Sequence, residues 1–262
     1  MASAPPASTN ITIQDLITEV QGWLQNRQDA SESQTNATMR PSFALKRSLQ
    51  ELTANYEFEE LKVTGPVQNI GPGLGYQGSN YAYPVAQFLN PGDDVTLTFD
   101  PVIWLTPAQA QQAGLAVTST NNGGAYSMNY MSEKAIQTIL FVPGGVPYNY
   151  TRHGNQFWFG TQPGSVYQVY LPYQVRHPFD DDNLTASPVL IPSDWHEVAV
   201  ISAAERLAVK LRWNDQAGFL HNILYGDPEN PEKLGLVAQH LQQPERDRRL
   251  SPMMLQVGYE RY

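Results

Sequence analysis

The segment from Ile191 to Trp213 constrains this chain more than any other. It begins Ile191-Pro192-Ser193-Asp194-Trp195-His196-Glu197 and runs into a long apolar stretch. At about 100° per residue, Val200, Ala203, Ala204, Leu207, Ala208 and Leu211 fall on one arc, while Glu205, Arg206, Lys210 and Arg212 lie off it. That spacing predicts a helix with a core face. Val198 and Val209 form a second apolar strip nearly opposite, which a half-exposed helix does not need, so packing is expected on both sides. Ser193 is the expected cap, with Asp194 and Glu197 favourable at the positive helix end.

The rest of the chain supplies partners for such a helix. Thr12, with Asp15 three residues on, has capping-box spacing. Ile13, Leu16, Ile17, Val20 and Leu24 then recur at helical intervals, predicting a first helix that ends near Arg27. From Gln28 to Arg40 the sequence is polar and aperiodic, which reads as a mobile loop. Pro41 suits a first helical turn, and Leu45, Leu49, Leu52 and Tyr56 make one stripe of a second helix leading into a strand from Phe58 to Thr64. Residues 67–155 are turn-rich, with strands expected at Val95–Phe99, Val102–Leu105 and Thr138–Val142 and only a turn at Ser132–Ile136. A hairpin, Gln156–Tyr173, with Pro163-Gly164 at its turn, is expected to resume the helical part. Beyond the long helix, Ala217–Tyr225 and Pro231–Gln243 read as two short helices. The expected fold class is α+β: an antiparallel helical frame (11–66 and 156–243) carrying a β-hairpin and interrupted by a β-rich insertion (67–155). A disordered leader (1–10) and an extended C-terminal tail (244–262) flank it.

Composition narrows function. The chain of 262 residues has mean hydropathy −0.39 and 41% hydrophobic residues, as soluble globular proteins do, and no apolar run of membrane-spanning length. Its first ten residues lack the basic and apolar parts of a signal peptide. Cysteine is absent, which excludes disulfides, thiolate zinc sites and a cysteine nucleophile and points to cytoplasmic synthesis. A net charge of −9 argues against general nucleic-acid binding, which needs a basic stripe.

No catalytic, cofactor or metal site emerges. His196-Glu197 would need a second histidine at position 200 to hold zinc on one helical face, and that position is Val200. Asp180–Asn183 lacks the alternate-residue spacing of a calcium loop, and His177 beside it adds no ligand set. Gly71-Pro72-Gly73-Leu74-Gly75 is followed by no Lys-Ser/Thr pair, and Pro72 removes an amide that a phosphate would need. No Gly-x-Ser-x-Gly elbow occurs. Tyr76, Tyr81, Tyr83, Tyr126, Tyr130, Tyr148 and Tyr150 suit a protein interface better than a sugar platform.

In its order of elements the chain resembles the head-to-tail adaptor (connector or neck) proteins of tailed bacteriophages. The residues that carry the resemblance are Ile11-Thr-Ile-Gln-Asp-Leu-Ile17, Phe157-Trp158-Phe159 with Val166 to Pro172, and Ile191 to Leu211. Adaptors of this kind often carry a hydrophobic-Pro-x-Asp/Glu-aromatic-His turn before their last long helices. The resemblance covers roughly 10–66 and 156–243; the segment 67–155 is larger than the family would have. It implies a non-enzymatic virion protein at the head–tail junction, made in the host cytoplasm. Its copies would form a homo-oligomeric ring, commonly a homododecamer, between the portal protein and a downstream tail or neck protein. DNA would pass through the lumen during ejection without sequence-specific binding, and no membrane is involved. An acidic lumen repels phosphate. The resemblance further implies a subunit interface drawn from Trp195, Val198, Val209 and Trp213. It also implies a portal-docking arm presenting Arg246, Arg248, Arg249, Met253, Met254, Leu255, Tyr259 and Tyr262, ordered on contact. The alternatives are another tail-ring or collar component, a carbohydrate- or receptor-binding β lobe, and an enzyme with convergent carboxylates.

Overall fold

A computed structural model describes residues 11–115, 124–227 and 230–242. The expected leader and tail lie outside the described residues. Among those described there are seven helices: α1 (Ile13–Trp23), α2 (Pro41–Asn55), α3 (Pro107–Gln112), α4 (Glu133–Ile136), α5 (Asp194–Lys210), α6 (Asn214–Tyr225) and α7 (Leu236–Gln242). Antiparallel pairing dominates the sheets, and the class is α+β. The chain forms two compact units: one takes the chain up to Leu61 and from Arg176 onward, the other runs Lys62–Val175.

The helical unit is built around α5. Trp195, Val198, Ala199, Val200, Ile201, Ala203, Ala204, Leu207 and Ala208 are all buried, so this helix is covered on nearly every side. The alanines let neighbours approach closely, and α1, α2, α6 and α7 all pack on it. Each fully buried Leu, Ile or Val contributes about 1.5–3 kcal/mol of transfer free energy, which makes α5 the hydrophobic centre of the unit. The Thr12 cap forms as expected: the Asp15 N–H donates to Thr12 Oγ1 at 3.3 Å, and the Thr12 N–H donates to Asp15 Oδ2 at 2.8 Å.

The segment 28–40, expected to be mobile, is instead tied down. Two 3₁₀ turns form within it, at Gln28–Ala30 and Ala37–Met39. The Glu32 carboxylate accepts from Ser42 N and Oγ at 2.5 and 2.7 Å, Arg40 Nε donates to Gln34 O at 2.8 Å, and Lys210 Nζ donates to Thr38 O at 2.8 Å. Polar side chains here satisfy loop backbone, a use that periodicity cannot reveal.

The β unit contains β1 (Lys62–Thr64), β2 (Gln68–Ile70), β3 (Ala82–Pro84), β4 (Val95–Thr98), β5 (Val102–Leu105), β6 (Gly124–Ser127), β7 (Asn129–Tyr130), β8 (Asn149–His153), β9 (Gln156–Gly160), β10 (Tyr167–Tyr170) and β11 (Pro172–Val175). They form sheets in the orders β1-β11-β4, β2-β10-β5-β6 and β3-β9-β8-β7. The chain enters on β1 and leaves on β11, and these two strands pair, with Lys62 opposite Gln174. Adjacent ends are what an insertion into another unit needs. Tyr83, Phe88, Ile103, Phe159, Val169 and Tyr173 lie in the core of this unit.

Several expected elements differ. The hairpin Gln156–Tyr173 does not form: β9 pairs with β3 and β8, while β10 pairs with β2 and β5. Both strands belong to the β unit, and the true hairpin is β8–β9, turning at Gly154 with φ +57°. Thr138–Val142 is a turn continuing from α4, in which Leu140 N donates to Ile136 O at 2.9 Å. Of Phe58–Thr64 only Lys62–Thr64 is strand, after a 3₁₀ turn. Helix α3, expected by no periodicity, has six residues, too few to show a helical period. The region 231–243 splits into β13 (Asn230–Leu234), paired with β12 (Gly226–Asp227), and α7. Gly226, at φ +93°, ends α6 and allows that pairing.

Candidate assembly surfaces

The four residues expected at a subunit interface have different fates. Trp195 is fully buried, 4.7 Å from Tyr56 and edge-on to Phe58 at 5.5 Å between ring centroids. Val198 is 1% exposed. Both belong to the core of the helical unit, which corrects their assignment to an interface. Val198 and Val209 lie on one wheel sector, but the helix emerges from its bundle between them. Burial along a helix axis is a tertiary property that a wheel projects away.

Val209 is 58% exposed on the last turn of α5. It lines a groove of about 340 Å³ with Phe43, Ala44, Arg47, Glu205, Arg206 and Lys210. The Phe43 ring is flanked by the Lys210 ammonium at 4.9 Å and the Arg47 guanidinium at 5.6 Å, both in cation–π range. Arg206 pairs with Glu51 across α2 and α5, and Glu205 Oε1 lies 2.8 Å from His221 Nδ1. The groove therefore offers an apolar floor between cations, a surface for an apolar segment with an acidic flank. Phe43 stands off the Leu45–Leu49–Leu52 stripe, so helical periodicity carries no signal for it.

Trp213 is half-buried, with the Arg27 guanidinium 3.9 Å over its ring. It lines a cleft of about 480 Å³ where the chain turns from α5 into α6. Arg212 takes φ +60° at that turn, the left-handed region that costs a non-glycine residue about 1 kcal/mol or more.

The turn before α5 is held by histidines rather than by the expected serine cap. Ser193 has helical φ and ψ and makes no cap bond; its Oγ lies 3.3 Å from Asp194 Oδ1. His196 Nε2 is 3.0 Å from Ile191 O, and His177 Nε2 accepts from Leu190 N at 2.9 Å. Burial, reinforced by the neighbouring His196 and opposed by a bond to Pro178, lowers the His177 imidazole to about 4. It stays neutral, as an acceptor at Nε2 requires. Among the described residues no three His, Asp or Glu side chains gather as a metal site needs.

The tyrosines of the β unit do not form one platform. Tyr83 is buried, its hydroxyl accepting from Gly71 N at 2.8 Å and donating to Gly71 O at 2.9 Å. Tyr150 is buried with its hydroxyl 2.6 Å from Asp100, and burial and that carboxylate raise its pKa. Tyr76 and Tyr130 are exposed, and Tyr81, Tyr126 and Tyr148 are half-buried. The arm residues Arg246, Arg248, Arg249, Met253, Met254, Leu255, Tyr259 and Tyr262 lie outside the described residues. No helix among the described residues is long and apolar enough to cross a membrane. No protein-family model matches this chain, and no curated protein matches it in sequence.

Proposed function

We propose that this chain is a structural subunit of a tailed-phage head-to-tail adaptor. Its copies form a ring, dodecameric in the family it resembles, between portal and tail, and DNA passes through the lumen without sequence-specific contact. The observation that carries this reading is the exposed Val209 beside Phe43. The central helix of the unit ends in an apolar groove that the described residues leave open, where a neighbouring copy could seat a side chain. The element order of the resemblance supports it: α1, a polar loop, α2, an inserted β unit, and α5 opened by Ile191-Pro192. So does the net charge of −9, since an acidic passage keeps phosphate from sticking. In this reading the role is architectural rather than catalytic, the site is the head–tail junction of the virion, and residues 244–262 are the arm that reaches the portal.

The test is electron microscopy with light scattering on the purified protein, alone and mixed with its cognate portal. Closed rings seated on the portal are expected. A chain that stays monomeric in both preparations refutes the proposal. Deleting 244–262 is expected to abolish portal attachment while far-UV circular dichroism stays native.

A further inference from the structure

Three loops of the β unit meet at one end and leave apolar side chains in solvent. Gln162 N donates to Val142 O at 2.8 Å, and Thr161 Oγ1 donates to Val146 O at 2.7 Å, which ties residues 160–166 to residues 137–147. Asn80 joins the third loop, 71–81, by accepting from Gly73 N at 2.8 Å and reaching Gln162 Oε1 at 3.5 Å. A methyl group placed on Gly71 would lie 3.2 Å from both Leu74 Cδ1 and Val166 Cγ2, so those two side chains converge there. The Tyr81 and Phe141 rings meet edge-to-face at 5.8 Å. Phe141 is 68% exposed and Val166 56%, with Leu74, Tyr76 and Val142 exposed beside them.

None of the residues in these three loops is charged. The whole unit shares this property. Of the chain's 16 basic and 25 acidic residues, only three and four lie between Lys62 and Val175. An ordinary solvated surface carries interspersed charge, and contiguous apolar patches without it mark contact sites. Whatever covers this tip must also be uncharged where it touches, because a charge pressed against these loops would lose its water and find no counter-ion. The helical unit, which holds most of the charges, is a poor match.

We propose that the tip formed by residues 71–81, 137–147 and 160–166 is a self-association surface that packs on the β unit of a second copy of this chain. The contact needs copies to assemble but does not need the assembly to be a phage adaptor. It is separate from the groove at Val209, so each can fail without the other.

The chain has no cysteine, so one introduced thiol gives one label. Phe141→Cys and Val166→Cys in the full chain, each carrying benzophenone maleimide, are irradiated at assembly concentration, and dimer-sized adducts are mapped by mass spectrometry. Adducts within residues 62–175 of the other copy are expected. Adducts confined to the helical unit, or none of dimer size, overturn the proposal. As a second measurement, Leu74→Asp/Phe141→Asp is expected to weaken self-association at least about tenfold in sedimentation, with native circular dichroism because both side chains are already exposed. Unchanged association overturns the proposal, as does a wild-type chain that shows no self-association at its highest soluble concentration. If rings form in the microscope while the tip cross-links to nothing, this inference falls and the adaptor reading stands.

Discussion

Replacing Val198 and Val209 by aspartate, one at a time, separates folding from assembly along a single helix. Val198 is 1% exposed, so Val198→Asp forfeits about 1.5–3 kcal/mol of apolar burial. It also strands a carboxylate, at several kcal/mol, within a cluster of buried apolar side chains. The two together exceed about 5 kcal/mol, comparable to the whole stability of a typical domain. Val209 is 58% exposed, so less than half of its burial is at stake, under about 1 kcal/mol, and the adjacent Lys210 and Arg206 offset part of it. For a chain of this size that is a shift of about 2–4 °C in Tm at most. The expected result is an unfolded or insoluble Val198→Asp and a folded Val209→Asp that no longer forms rings. Circular dichroism melting and sedimentation velocity read the two properties. If Val209→Asp unfolds as readily as Val198→Asp, or assembles like wild type, the assignment of the groove is wrong.

Three further perturbations test the fold itself. His177 is neutral when folded down to about pH 4 but takes a proton below its ordinary 6.5 when unfolded. Stability is therefore indifferent to this group above pH 6.5, falls as pH drops from 6.5 toward 4, and levels off below that, a loss of about 3 kcal/mol in all. His177→Gln keeps an acceptor for Leu190 N–H and is expected to flatten that part of the curve in urea titrations at pH 7, 5.5 and 4.5; an unaltered slope counts against burial as the cause. Tyr83→Phe leaves the Gly71 N–H without its partner, while Gly71 O keeps the Leu74 N–H; it is expected to cost about 1–3 kcal/mol in chemical denaturation, with a near-zero change refuting the buried bridge. In Gly65→Ala the new methyl would lie 1.9 Å from the Phe88 carbonyl oxygen. Since both sides are backbone, a loss above about 3 kcal/mol is expected, and a soluble variant with unchanged Tm contradicts that packing.

The helices were legible because their signals are local. Thr12 with Asp15, Pro41 before the Leu45–Leu49–Leu52 stripe, and the alanine-rich run after Trp195 each specify a helix within a few turns, and α1, α2 and α5 begin where these residues place them. The strands Val95–Thr98 and Val102–Leu105 were legible for the same reason. Pairing was not. Gln156–Tyr173 reads as a hairpin because a Pro-Gly turn separates two strands, yet β10 pairs with the distant β2 and β5, and β9 pairs with the distant β3 and with β8 just before it. A strand's alternation states that it will pair but not with what.

The helix from Asp194 to Lys210 carries both halves of this lesson. Its sequence alone determined that it exists, that it is central and that it is apolar on two sides, because a period near 3.6 residues and a run of small side chains are properties of consecutive residues. Only the tertiary structure decided that Trp195 and Val198 are core while Val209 stands open beside Phe43. Which residues of a strip lie inside the bundle depends on where α1, α2, α6 and α7 cover the helix axis. The uncharged tip of the β unit shows the same division. The scarcity of charge is written in the chain, but the convergence of Leu74 with Val166, and of Phe141 with Tyr81, comes from three loops tied to one another by hydrogen bonds between residues far apart in sequence.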